Sequence, residues 1–256
     1  MKNERSNNIL FTTHSIVPTT LFAEVTRKDV RNSYGTTEIV FSAEGKEVAR
    51  KILDKDGSSI KTIGKIPDGT VKQYYDSGAL FAEWNYKNGK LNGTKKYYEG
   101  GALRATESYK NDTLEGLTKA YFPNGQLEAE WNYKNGKLEG LTKEYHRYGG
   151  KLKWECIYKD GTLEGITKRY HRSGELRAEW SYKDGKLEGI SKSFFINGAS
   201  SAEFNFKDGR AEGVTKRYYE SGELRAVEMY HNGQMINRKV FDKKGLLILD
   251  QNHPGE

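Results

Sequence analysis

The side chains of this chain that could carry out a reaction are a few histidines, a recurring set of carboxylates and one thiol. His146 and His171 stand in the same tripeptide, Tyr-His-Arg. Two imidazoles at matched places raise a metal reading. Glu83, Glu130, Glu155, Glu179 and Glu203 recur at nearly constant spacing, and paired carboxylates can act as acid and base. Lys72, Lys119, Lys143, Lys168, Lys192 and Lys216 recur in the same way. Cys156 is the only cysteine, which excludes a disulfide framework and a Cys-rich metal site.

The recurrence argues against each chemistry in turn. If matched positions lie in successive β-hairpins, they are two strands apart, roughly 9.6 Å. One ion cannot bridge that gap with Zn–N bonds of about 2.0–2.1 Å, and no third His or Cys joins the pair. Five equivalent glutamates single out no acid and no base. The lysines read as cross-strand partners, each pair contributing about 0.2–1 kcal/mol. Cys156 stands where Trp131 and Trp180 stand in their own units, so it reads as a small apolar filler. The glycines serve turns and form no strand-to-helix phosphate loop, and no Ser-centred elbow is present. The expectation is a non-enzymatic protein with no catalytic residue, cofactor or metal.

Charge and composition narrow the partners. Lys and Arg number 42 against 35 Asp and Glu, a net charge of +7. The signs alternate along the chain, whereas a nucleic-acid binder clusters its cations, so no nucleic-acid partner is expected. Only 35% of residues are hydrophobic, yet 17 are Tyr and 4 are Trp, too aromatic for a disordered chain. No apolar run approaches the ~20 residues of a membrane-spanning helix. Met1–Ala23 has the outline of a secretory signal, with Lys2 and Arg5 at its start and Leu21-Phe22-Ala23 at its end. Its middle is broken by Thr12, Thr13, His14, Pro18, Thr19 and Thr20, so residues 1–34 fit either a marginal export signal or a tail.

The elements that position these residues come from a repeat. The aromatic of Tyr-Lys-Asn/Asp-Gly falls at Tyr86, Tyr109, Tyr133, Tyr158, Tyr182, Phe206 and Tyr230, in steps of 23, 24, 25, 24, 24 and 24. A glycine opens each unit, from Gly69 to Gly213, and another precedes each aromatic by eight residues. Seven units fill residues 69–236. A degenerate capping unit and loop occupy residues 35–68, and a second degenerate cap and tail occupy 237–256, as expected of solvent-facing end units.

Within a unit, Leu127, Ala129, Trp131 and Tyr133 alternate with Glu128, Glu130 and Asn132. Period two is a half-buried strand. A shorter strand, Leu117–Tyr121, precedes it, and Pro123-Asn124-Gly125 turns between them. Asn135-Gly136 follows, a dipeptide suited to a tight hairpin because both residues tolerate positive φ. Asn111-Asp112 replaces it in the second unit, which predicts a looser turn there. The prediction is an all-β protein: an elongated, single-sheet antiparallel meander of tandem ~24-residue hairpins, with no crossover. One face would carry Leu, Ala, Trp and Tyr. The other would carry Thr118, Thr142, Thr167 and Thr215 together with the glutamates.

The unit Gly-x-x-Lys-x-Tyr…Gly-x-Leu-x-Ala-Glu-x-x-Tyr-Lys-Asp-Gly-Lys-Leu-Glu resembles the variant MORN repeat. Arrays of it characterise the bacterial YwqK-type antitoxins of toxin–antitoxin systems. The resemblance covers about two thirds of the chain. It implies an elongated twisted sheet and a role in sequestering a protein toxin, which would place the chain in the cytoplasm. MORN-type repeats are also linked to phospholipid headgroups, which keeps a membrane-surface partner open. An exported or cell-surface structural repeat protein is the other alternative, if residues 1–23 act as a signal. The candidate partner-binding surface is the aromatic face: Trp84, Tyr86, Trp131, Tyr133, Trp180, Tyr182, Phe204 and Phe206. Aromatic side chains of this kind are enriched at interface hot spots.

Overall fold

A computed structural model describes residues 23–31 and 35–252. Met1–Phe22, which hold most of the signal outline, lie outside the described residues, as do residues 253–256 at the end of the carboxy-terminal cap. All regular elements among the described residues are strands of one sheet. At its amino-terminal end are β1 (Val25–Arg31), β2 (Thr37–Ala43), β3 (Lys46–Leu53) and β4 (Ser59–Gly64). The first repeat then begins with β5 (Gly69–Tyr74) and β6 (Leu80–Lys87). Thus β1 lies inside the stretch read as tail or signal segment, and β4 lies in the stretch read as a loop or irregular strand.

Each repeat follows one plan. In the third, an opening strand, Gly116–Tyr121, pairs antiparallel with a long strand, Leu127–Lys134. A two-residue strand, Lys137–Leu138, then folds back on the long strand before the next repeat opens at Gly140. The intervening Asn135 and Gly136 have φ of 50° and 78°, the two positive values of a type I′ turn. The second repeat keeps this turn rather than loosening it. Asn111 and Asp112 have φ of 51° and 67°, and the Asp112 carboxylate accepts the Leu91 N–H at 2.7 Å. That bond offsets part of the cost of a non-glycine residue in left-handed geometry.

Successive repeats are buckled at this margin. The Gly136 N–H donates to the Leu114 carbonyl at 2.9 Å, and the Asn135 N–H donates to Glu115 Oε2 at 2.8 Å. Glu139, Glu164, Glu188 and Glu212 repeat the second bond. This accounts for the recurrent Leu-Glu-Gly that closes one unit and opens the next. The two-residue strand wedges the hairpins apart, and side chains bridge the gap: Asn132 Nδ2 reaches the Leu141 carbonyl at 2.7 Å.

Sixteen strands of six to nine residues follow one another from β5 to Leu247–Asn252. At ~4.8 Å per strand that is about 70 Å, so the sheet is far longer than it is wide. The meander has one exception. β1 pairs antiparallel with β2 but parallel with β5, with Val25 opposite Val71. The chain runs out to β4 and returns through residues 65–68 to lie beside β1, so the expectation of a meander without a crossover fails here. Without β1, the opening strand of the first repeat would present an unpaired edge.

The main core sits under this amino-terminal layer. Ile39, Phe41, Ala49 and Ile66 pack with Val71, Ala82, Trp84 and Tyr86. Phe41 is fully buried and meets Tyr86 edge-on, with ring centroids 5.3 Å apart.

Candidate protein-binding face

The registers fix which side chains share a face, because directly opposed residues in a sheet point the same way. Thr118 opposes Trp131, Thr167 opposes Trp180 and Ser191 opposes Phe204. The threonines therefore belong to the aromatic face and not to the glutamate face. They are buried beside the rings, and Thr118 Oγ1 and Ser191 Oγ have no hydrogen-bond partner. Tyr133 lies between Gly116 on one side and Leu138 on the other, so the opening glycine leaves the tyrosine without a side chain opposite it on that one side.

Lysines and glutamates occupy the opposite face as one row. Lys72, Glu83, Lys96, Thr106, Lys119, Glu130, Lys143, Glu155, Lys168, Glu179, Lys192, Glu203 and Lys216 are successive register partners. Lys119 lies 3.0 Å from Glu130, and Lys96 lies 3.0 Å from Glu83. A tyrosine of the following repeat adds a bond, as in Tyr145 Oη to Glu130 at 3.1 Å and Tyr170 Oη to Glu155 at 2.7 Å. Burial pushes the Glu130 carboxyl up, but the Lys119 and Tyr145 hydrogen bonds outweigh it, leaving the group below its ordinary range. Burial and the bond to Glu155 push Tyr170 up to about 12. Leu117, Leu141, Ile157, Ile166 and Ile190 flank the ionic row on this face and are exposed. They are not among the residues singled out in the sequence; four follow the opening glycine of a unit, and Ile157 lies between Cys156 and Tyr158.

The eight candidate aromatic residues separate into two groups. Trp84 and Tyr86 are buried under β1–β3 and Ile66. Arg27 lies over Trp84 at 3.8 Å, and its Nη1 donates to Tyr86 Oη at 2.9 Å. These two residues are core and are withdrawn from the binding face. Their sequence context matches the later repeats, so only the cap distinguishes them. Trp131, Tyr133, Trp180, Tyr182, Phe204 and Phe206 remain half-buried, with no described element laid over them.

Ion pairs close both ends of this strip. In the second repeat, Lys95 and Glu107 take the Thr–Trp places, 3.3 Å apart, with Lys95 buried against Trp84 and Tyr97. In the seventh, Glu228 takes the Trp place and is buried, held at 3.1 Å by Arg217 Nε and Tyr230 Oη. The open aromatic strip therefore runs over repeats three to six.

The strip includes one ring that the sequence reading missed. Trp154 occupies the row of Ala129 and Ala178 and stacks on Trp180, with centroids 5.5 Å apart and planes at 24°. Its signal was present in the order Trp-Glu-Cys, where other units read Ala-Glu-Trp. His146 and His171 lie at the opposite margin from the Asn-Gly turns. Among the described residues no group of three or more His, Cys, Asp or Glu could hold a metal ion.

Four segments, residues 67–88, 114–135, 163–184 and 211–236, match the family described as MORN repeat variant. They fall on the first, third, fifth and seventh repeats. The second, fourth and sixth form hairpins on the same plan, with a shorter turn in the second and a longer one in the fourth. No curated protein matches the chain.

Proposed function

We propose that this MORN-repeat protein is a non-enzymatic scaffold that binds a protein partner along its aromatic face. The observation that carries this reading is the open strip of Trp131, Trp154, Trp180 and Phe204, closed at each end by an ion pair with one buried member, Lys95 at one end and Glu228 at the other. A sheet that bracketed its rings only for stability would have no need to leave the middle uncovered. Trp and Tyr on a rigid platform lose little entropy on binding, which suits them to anchor a partner. The finer reading, drawn from the family resemblance, is an antitoxin or immunity-like protein that holds a toxin against this strip. The exported structural alternative turns on residues 1–23, almost all outside the described residues. The phospholipid alternative draws little support from the ionic face, where lysines alternate with glutamates.

The test is affinity capture from the native cell with the full chain and with two variants. Trp180→Ala should lose the stoichiometric partner, and Ile166→Lys, on the opposite face, should keep it. Loss with Ile166→Lys alone would move the interface to the ionic face. No partner with any chain would reject the scaffold reading. Sequencing the amino terminus in the same sample separates retained from processed chains.

A further inference from the structure

We propose that the groove over the fourth and fifth repeats takes an acidic, extended segment of a protein partner; this rests on the scaffold reading above. The groove encloses about 630 Å³ and is lined by Lys153, Arg169, Arg172 and Arg177, with His146 and His171, and by no carboxylate. It borders the aromatic strip, because Arg169 lies over the Trp154 ring at 5.1 Å.

The cations there are not explained by the fold. Lys153 has Glu144 at 3.3 Å, but Arg169, Arg172 and Arg177 have no ion pair among the described residues. Glu175, in the same turn, has its carboxyl held below the ordinary range first by Ser173 and its own backbone N–H and then by the charges of Lys151 and His171. His171 Nε2 is buried without a partner. Equivalent positions in other repeats show what the backbone requires. The place of Arg169 holds Gln73, Ala120 and Ser193 in the first, third and sixth repeats; the seventh also has an arginine there, Arg217, but pairs it with Glu228. The place of Arg177, the extra residue of a bulge, holds Phe81, Glu128 and Ser201 in the first, third and sixth repeats, Arg104 paired with Glu99 in the second and Arg225 over the Tyr219 ring in the seventh. The fifth repeat alone has arginine at both of these places and at the intervening turn. Unpaired guanidinium groups in a groove are suited to planar carboxylates, which they bind through two parallel N–H bonds.

The extent of the groove favours a peptide over a nucleic acid. Its positive stretch covers two repeats, about 20 Å, or some six residues of extended chain. Glu128 and Glu144 interrupt it on one side and neutral Ser193 and Ser201 on the other. Base stacking needs free ring faces. Here Arg169 lies over the Trp154 ring and Trp180 stacks against it, so that ring is already engaged.

The experiment uses the full chain and a fluorescein-labelled octaglutamate peptide, read by anisotropy and by tryptophan emission. Binding is expected, weakening with salt. The double variant Arg172→Glu with Arg177→Glu should bind at least tenfold more weakly, with an unchanged melting temperature, since neither arginine makes an internal ion pair. Lys186→Glu with Arg210→Glu, on the other margin, should bind as the parent does. No binding, or equal binding by both double variants, overturns the proposal. So does tighter binding of a twelve-residue oligothymidylate or of phosphatidylglycerol vesicles through the same arginines. Native-cell capture separates this from the scaffold reading. A partner retained by the Arg172/Arg177 variant leaves the scaffold and removes the groove. Octaglutamate binding without any captured partner leaves the groove and removes the scaffold.

Discussion

Cys156 stands in a tryptophan place, and the bulk it lacks has moved rather than vanished. Its thiol is raised by burial, so it is protonated at neutral pH and packs as a small apolar group. Trp154, two residues earlier on the same face, replaces an alanine and stacks on Trp180. Large and small residues have exchanged rows within one strand. Trp154→Ala alone removes both copies of the bulk and should cost about 1–3 kcal/mol for a half-buried ring. Adding Cys156→Trp restores the order of the third and fifth repeats and should recover most of it. Urea unfolding of the four proteins of this cycle should give a coupling of about 1 kcal/mol or more. Additive losses would mean the two rows are independent. Both residues were visible in the sequence; their relation was not, because only the register sets Trp154 beside Trp180.

Strand alternation was legible because period two in Leu127–Tyr133 and the Asn-Gly pairs admit one hairpin reading. The phase of the opening strand was not. Thr118 was grouped with glutamates as a polar residue, whereas pairing sets it opposite Trp131. The bulge between Ala120 and Tyr121 further breaks any count carried across the turn. Pairing also turns the lysines and glutamates into one row with a pH signature. Glu83 and Glu130 have lowered folded pKa values: burial opposes ionisation, and the lysine and tyrosine bonds outweigh it. Their stabilisation is complete above the unfolded value of about 4.3 and is lost as pH falls through the lower folded values. Tyr98, Tyr145 and Tyr170 have raised values, first through burial and then through their glutamate bonds. Above the unfolded value of about 10, the unfolded chain loses these protons first, so stability falls with rising pH. Denaturant midpoints should therefore be flat between about pH 5 and pH 9 and decline on both sides. A midpoint that stays flat from pH 9 to pH 11 would show that the tyrosine bonds contribute nothing.

At the scale of the molecule, the repeats and a capping unit at residues 35–68 were legible, but the strand β1 that ties this cap to the first repeat was not. β1 has no counterpart in the repeat, and its parallel pairing with β5 joins segments more than 40 residues apart. The same tryptophan and tyrosine are consequently core in the first repeat and open in the third. An array of this kind has stability that is a sum of local and nearest-neighbour terms, so damage should stay near its origin. Phe41 is fully buried between the cap and Tyr86, and Phe41→Ala should cost about 3–5 kcal/mol locally. Hydrogen exchange should then speed up in β1–β6 and expose Trp84 to quenchers, while amides of the fifth to seventh repeats keep their protection. Uniform loss of protection along the whole sheet would instead make the cap a nucleus on which every repeat depends. That outcome would also bear on binding, because an array that melts as one unit cannot hold its open strip rigid if the far end is disturbed.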